Sequence, residues 1–427
     1  MHDPGRRLLR GVATSPGVGF GAAAEGVVVA PDLSPADVAS LDPATVVGLA
    51  TAGGAPLSHA SIIARSLGIA AVGGLGPDVL DVPPGTAVLV DGDAGTLVIH
   101  PTAEEVAAAR ARQEDHRRHH DQARQRACMP ATTADGTPVR VLANVGGAEE
   151  ARLAVAEGAD GVGMLRTEFA FLGRTEPPGE DEQYTAYRAV AQALGDRPLV
   201  VRTLDLGADV PAWDAPPEDN PALGHRGLRF TLTHRHLLET QLRAVTRLAR
   251  DREVQVMFPM VTSVDELRQA QACLEAVAGE TGGAALGSGI TVEIPAAALT
   301  AAALAPLVDF FGVGTNDLTQ YALATDRANP AVAALADGLH PAVLRLIAEV
   351  VGAGAAFGRP VFLVGELATD PAAIPVLLGL GVRALSVRPN AVAVVKEAVR
   401  AVALPEASVL ADRALRAESP AAVRRLV

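Results

Sequence analysis

Lysine is almost missing from this chain of 427 residues: Lys396 is the sole one, and arginine carries the remaining basic charge. Acidic residues outnumber basic ones, 49 to 36, for a formal net charge of −13. A chain so short of positive charge has no general affinity for nucleic acid or for an anionic membrane surface. Cysteine is scarce as well. Cys128 and Cys273 stand in unrelated contexts and supply neither a metal box nor a disulfide framework, which suits a reducing compartment. Aromatic residues make up only 3%. No uninterrupted apolar run reaches membrane-spanning length, and the opening MHDPGRRLLR lacks the apolar core of a signal peptide. These absences predict a cytoplasmic protein with no membrane insertion and no nucleic-acid partner.

What is plentiful is small and apolar. Hydrophobic residues reach 49%, so burying a core is no difficulty, and the length points to two domains, one of them large. From about Gly11 to His100, short Val-rich strands (Gly26–Ala30, Thr45–Leu49, Thr86–Val90, Gly95–Ile99) alternate with Gly/Pro turns, the pattern of a small α/β domain. Thr102–Ala127, framed by Pro101 and Pro130, is nearly all Ala, Glu, Arg, Gln and His, and predicts a polar helix bridging two bodies. His116, His119 and His120 recur there at helical spacing, but Arg117 and Arg118 among them make a solvated face the better reading than a metal site. The expected domains are therefore 1–101, a linker helix 102–130, and 131–427.

Beyond Pro138 eight short apolar strands recur between helical stretches: Val139–Val145, Gly161–Leu165, Leu199–Leu204, Val254–Met260, Gly289–Ile294, Phe310–Gly314, Val361–Gly365 and Ala384–Val387. Periodicity alone leaves an open doubly wound sheet in competition with a (β/α)8 barrel. The polar residues favour the barrel. Arg166, Arg202 with Asp205, Glu293, Asn316 with Asp317, and Glu366 all fall at or just past strand ends, where a barrel builds its active site. Glu293 and Asp317 are oxygen ligands suited to Mg²⁺ that keeps waters and binds substrate oxygens. Arg166, Arg202 and Arg327 offer planar forks for carboxylate or phosphate. Any one of these arginines could be a surface ion pair; the set reads as a site for a small anionic phosphorylated substrate.

In the N-terminal part, APLSHASIIARSLGIAAVGG (Ala55–Gly74) places His59 at a predicted helix start, Ala60–Leu67, where backbone N–H groups favour an incoming phosphate. Neutral imidazole is nucleophilic near physiological pH and can carry a phosphoryl group. Taken alone, a histidine in such a string is more often structural than chemical.

RTEF (Arg166–Phe169), RTLDLGAD (Arg202–Asp209), NPALGHRGLR (Asn220–Arg229), MFPM (Met257–Met260), VEIPAAA (Val292–Ala298) and GTNDLTQYALATDR (Gly314–Arg327) occur in order. With the His59 segment, they resemble the phosphoenolpyruvate (PEP)-utilising enzymes, and in particular the enzyme I family of the bacterial sugar phosphotransferase system, from about Gly11 to Val399. The resemblance implies a small swivelling phosphohistidine β/α domain joined by a helical linker to a (β/α)8 TIM barrel. It implies Mg²⁺-dependent transfer of the phosphoryl group of PEP to His59 as the catalytic residue, and on to an acceptor such as the phosphocarrier protein HPr, with release of pyruvate. Arg166, Arg202, Arg226, Asn316, Asp317 and Arg327 would then bind substrate, Asp205 would support them, and Glu293 and Asp317 would hold Mg²⁺. The family also implies a homodimer formed through the barrel.

Three features depart from the family. Where it places a cysteine before Gly-Glu on the seventh strand, to protonate enolpyruvate, this chain has Val364, which has no proton to give. Where the string around Asp209 continues with lysine, this chain has Val210. The helical insertion that docks HPr has no counterpart: GVATSPGVGFGAA (Gly11–Ala23) is followed almost at once by GVVVAPDLSPADVASLDP (Gly26–Pro43). A catalytically degenerate relative that binds PEP or pyruvate as a sensor is therefore a second reading. PEP synthases and pyruvate phosphate dikinases need a nucleotide-grasping domain, for which the chain has no length to spare.

Overall fold

The structure is a computed structural model. It describes the chain apart from residues 1–5, 11, 15–25, 34–36, 39, 55–58, 93, 172–173, 207–217, 283–285, 328 and 330, and apart from the side chains of 6–10, 12–14, 59, 62, 65, 66, 116 and 281. Contacts divide the chain into two units, one comprising Met1–Gln122 with Thr325–Ala336, the other Ala123–Ala324 with Asp337–Val427.

The first unit holds two sheets. Val12–Thr14, Gly26–Ala30, Val46–Thr51 and Ala70–Val72 form a parallel sheet in that order. Arg6–Arg10, Ala87–Asp91 and Thr96–Ile99 form an antiparallel one. Two fully apolar strands explain the parallel sheet: Gly26–Ala30 is buried along its whole length, as is Val46–Ala50 but for its last neighbour Thr51. Val27, Val29, Val47, Val72, Val88 and Val90 meet in one core. In sequence the helix His59–Ser66 connects the neighbouring strands Val46–Thr51 and Ala70–Val72, and the polar helix runs Ala103–Gln125.

The second unit is a closed barrel of eight parallel strands, and the sequence-based expectation of a TIM barrel is met. The strands are Arg140–Val145, Val162–Arg166, Leu199–Arg202, Val254–Phe258, Ser288–Val292, Phe310–Gly314, Val361–Val364 and Ala384–Val387. Side chains alternate across each strand. Val141, Ala143 and Val145, or Leu199 and Val201, pack outward in the large core shared with the helices. Leu142, Met164, Val200, Met257, Phe310, Phe362 and Val364 pack together inside the barrel. That alternation positions the site. Continuing the inward phase of six of the strands by two residues reaches Asn144, Arg166, Arg202, Glu293, Glu366 and Arg388 at the carboxyl mouth.

Among the described residues, no helix is long and apolar enough to cross a membrane.

Candidate active site

The fold brings four of the predicted residues, Arg202, Asp205, Arg226 and Asp317, into one ion-pair network. Arg202, the last residue of its strand, donates from Nη2 to Glu168 Oε1 at 2.8 Å and lies 3.4 Å from Asp205 Oδ2. Glu168 Oε1 also accepts the Asp205 N–H at 3.0 Å. Arg226 precedes the helix Gly227–Thr233. It grips Asp205 with two nitrogens, Nε to Oδ1 at 3.1 Å and Nη2 to Oδ2 at 2.8 Å, and reaches Asp317 Oδ1 from Nη1 at 3.2 Å. The bidentate geometry fixes the guanidinium plane as well as its charge. Tyr321, one turn beyond Asp317, accepts from Arg226 Nη1 at 3.1 Å and donates to the Ala222 carbonyl.

Electrostatics follow from this crowding. Burial favours neutral Asp205, but Arg226 and Arg202 outweigh it and hold the carboxyl below its ordinary range. Burial likewise works against charged Arg202 and Arg226, and their acidic neighbours overcome it and raise both. Glu293 behaves otherwise. Burial, then the negative charges of Asp317 and Asp205, push it up to about 8 against the pull of Arg202 and Arg226. It has no ion-pair partner among the described residues, and its Oε1 accepts only the Met260 N–H, at 2.7 Å.

A buried carboxyl with no direct ion pair among the described residues, beside Asp317 and Asp205, is a donor set that suits a divalent cation completing its shell with substrate and water oxygens. Among the described residues no group of three or more His, Cys, Asp or Glu forms a protein-only metal cage. Glu293 and Asp317 are the residues that could hold such an ion.

Arg166 lies at the mouth in parallel register with Arg202. Its guanidinium is 3.6 Å from Glu150 and stacks 5.3 Å over Phe169. Nε of Arg166 and Nε of Arg202 are buried and have no hydrogen-bond partner among the described residues. Asn316 accepts the Glu366 N–H on Oδ1 at 3.1 Å, and that bond orients the side-chain amide. Arg327 is 9% exposed and falls in Thr325–Ala336, a segment of the first unit. His59 begins the helix His59–Ser66, and its side chain lies outside the described residues. Val210 does too. Val364 ends the seventh strand with its side chain in the apolar barrel interior, and its carbonyl accepts from Thr315 Oγ1 at 3.0 Å.

Sequence reading passed over Glu168, Tyr321 and Arg388. The strand-end rule, applied to Ala384–Val387 as to the other strands, would have found Arg388. Glu168 and Tyr321 sit inside the RTEF and GTNDLTQY strings, but only the fold shows that they hold the arginines.

The family model for the PEP-binding domain of PEP-utilising enzymes matches residues 120–404, and that for their mobile domain matches residues 23–95. Over its whole length, the chain is 48% identical to a multiphosphoryl transfer protein of Rhodobacter capsulatus, of which it covers 52%. It is 42% identical to a phosphoenolpyruvate-protein phosphotransferase of Haloferax volcanii, across 100% of this chain and 76% of that one. With the enzyme of that name from Geobacillus stearothermophilus it shares 40% identity, across 92% of this chain and 69% of that one. The chain thus spans about half the length of the multiphosphoryl transfer protein and roughly seven tenths or more of the other two.

Proposed function

The chain belongs to the PEP-utilising enzymes, and we propose that it transfers the phosphoryl group of PEP to His59 and on to an acceptor, releasing pyruvate. The observation that carries this reading is the mouth of the barrel. There, Arg166 and Arg202, whose buried Nε atoms have no hydrogen-bond partner among the described residues, share a rim with Glu293, a buried carboxyl in direct ion-pair contact with no described cation.

In this reading Arg166, Arg202, Arg226, Asn316 and Arg327 bind PEP, with Asp317 at their side, and Glu293 and Asp317 hold Mg²⁺. When bound, Mg²⁺ neutralises charge on the phosphoryl oxygens and orients the substrate. Glu168 and Asp205 fix the Arg202 fork, and Asp205 and Tyr321 fix that of Arg226, so neither has to reorganise as negative charge moves. A neutral nitrogen of His59 attacks phosphorus, the N–P bond forms, and the bond from phosphorus to the enol oxygen breaks. The imidazole loses its other N–H proton, and the enolate leaves to take a proton on carbon from water, giving pyruvate. Val364 offers no acid for that last step, so protonation away from the site is slower than with a proton donor on the strand.

Residues 1–101 form the mobile phosphohistidine domain, 102–130 the hinge helix that lets it move, and 131–427 the PEP-binding barrel. The acceptor is HPr or another carrier that does not need the missing docking insertion. The protein works in the cytoplasm as a dimer formed through the barrel. The place of Val364 in an apolar cluster supports one competing reading, a PEP-binding sensor without turnover. Incubation with PEP, Mg²⁺ and an excess of acceptor decides between them: continuous pyruvate release supports the transferase. Calorimetric binding of PEP with no pyruvate formed supports the sensor.

A further inference from the structure

We propose that Arg388 is a further substrate-contacting residue, offering its guanidinium to an anionic oxygen of PEP from the eighth strand. The inference rests on the reading of the barrel mouth as a PEP site and adds to it a residue at a strand end that reading leaves empty.

Three observations carry it. The first is phase. Ala384–Val387 pairs in parallel with Val361–Val364, with Ser386 opposite Val364. Ser386 is fully buried and turns inward, its hydroxyl donating to Asn144 Oδ1 at 2.5 Å while Asn144 Nδ2 donates to the Ser386 carbonyl at 2.9 Å. Arg388 is the next residue of that phase, as Arg202 follows Val200 and Glu293 follows Thr291. The second is continuity with the site. Arg388 Nη1 donates to Glu366 Oε2 at 3.1 Å, and the Glu366 N–H donates to Asn316 Oδ1 at 3.1 Å. Arg388 is thus two hydrogen bonds from Asn316 along the ends of strands six, seven and eight. Gly365 makes that approach possible, because with φ +125 a side chain there would be strained and its Cβ would lie 2.8 Å from Asn316 Oδ1. The third is incomplete pairing. Arg388 Nε is buried with no partner among the described residues, a state it shares with Arg166 and Arg202 at the same mouth. The ion pair with Glu366 leaves that buried N–H for another acceptor to complete.

Arg388 supplies positive charge to a mouth crowded with carboxylates. Glu366 holds it in place, and a carboxylate or phosphoryl oxygen presented by the ligand can take the remaining N–H groups of the fork.

The test is calorimetric titration of PEP, with Mg²⁺ present, into the full chain and into Arg388→Gln, Arg388→Lys and Glu366→Gln, each first checked for an unchanged melting transition. The proposal expects Kd to rise tenfold or more in Arg388→Gln. It expects a smaller rise in Arg388→Lys, which keeps the charge but loses the fork, and a smaller rise in Glu366→Gln, which loosens the guanidinium without removing its charge. Kd within twofold of the parent in Arg388→Gln overturns it, as does an equal loss in Arg388→Gln and Glu366→Gln, the mark of a purely structural pair. A parent chain that binds no PEP brings down the reading of the mouth itself, and this inference with it.

Discussion

Met260 and Gly227 show how much the site demands of single residues. Both have left-handed backbones, φ +57 and φ +58, although only one of them is a glycine. Met260 pays for its conformation by pointing its N–H at Glu293, and Gly227 leaves the space that Met260 fills, since a Cβ there would be 2.7 Å from Met260 Cγ. Gly227→Ala combines a left-handed alanine, about 1–2 kcal/mol, with overpacking against Met260, about 1–3 kcal/mol. Chemical denaturation should show a loss within the sum of those ranges, together with weaker PEP binding. An unchanged midpoint would mean that Met260 moves aside without cost. Glu168→Gln takes the charge from the acceptor shared by Arg202 and Asp205, and should lower stability by about 2 kcal/mol and weaken PEP binding. Loss of stability with binding unchanged would separate Glu168 from the site. At this scale the sequence was half legible. Arg166, Arg202, Asn316 and Asp317 announce themselves by their strand-end positions, whereas the residues that hold them become visible only when distant strands meet. Glu168 is such a case, since Arg202 at the end of the next strand and Asp205 just past it both reach its carboxylate.

Among the elements, the polar helix Ala103–Gln125 was legible from composition, and its ends explain its limits. At the start, Thr102 and Glu105 cap one another: Glu105 Oε2 accepts the Thr102 N–H at 2.8 Å, and the Glu105 N–H donates to Thr102 Oγ1 at 3.2 Å. The bonds from the Thr102 backbone and hydroxyl hold the Glu105 carboxyl below its ordinary range. A depressed pKa means that this contribution is complete above the unfolded carboxylate range and is lost as pH falls through the folded-state value. Hydrogen exchange at the first turn should therefore be faster in Glu105→Gln than in the parent at pH 7, and the two should converge in acid. A difference that persists in acid would contradict the capping account. Past the helix end, the chain's one lysine is fully buried, donating from Nζ to the Ala127 carbonyl at 3.1 Å and to Asp160 Oδ1 at 2.9 Å. Arg400 adds bonds to the Arg126 and Met129 carbonyls at 3.0 and 2.7 Å. These cations satisfy carbonyls of the turn that follows the helix, which no helical N–H reaches. Lys396→Met should cost about 1–3 kcal/mol in a denaturation experiment; a neutral outcome would mean that water replaces the ammonium. Composition marked Lys396 as singular, but its role depends on Asp160 and Ala127, which are remote from it in sequence.

For the whole molecule, the barrel was legible because eight short apolar strands recur and most of them end on a polar residue at the mouth. The first unit was less so. Arg6–Arg10 pairs with Ala87–Asp91 from the far end of that unit, and Ala70–Val72 is three residues long, too short for alternation to register. The central claim spans both units: PEP delivers its phosphoryl group to His59, using groups at the barrel mouth. The most direct measurement is incubation of the chain with PEP carrying a radioactive phosphoryl group, with Mg²⁺ or with a chelator, in the parent and in His59→Ala. The account predicts acid-labile, base-stable label in the parent with Mg²⁺, and none in His59→Ala or with the chelator. Label that persists in His59→Ala, or a parent chain that takes up none, would contradict it.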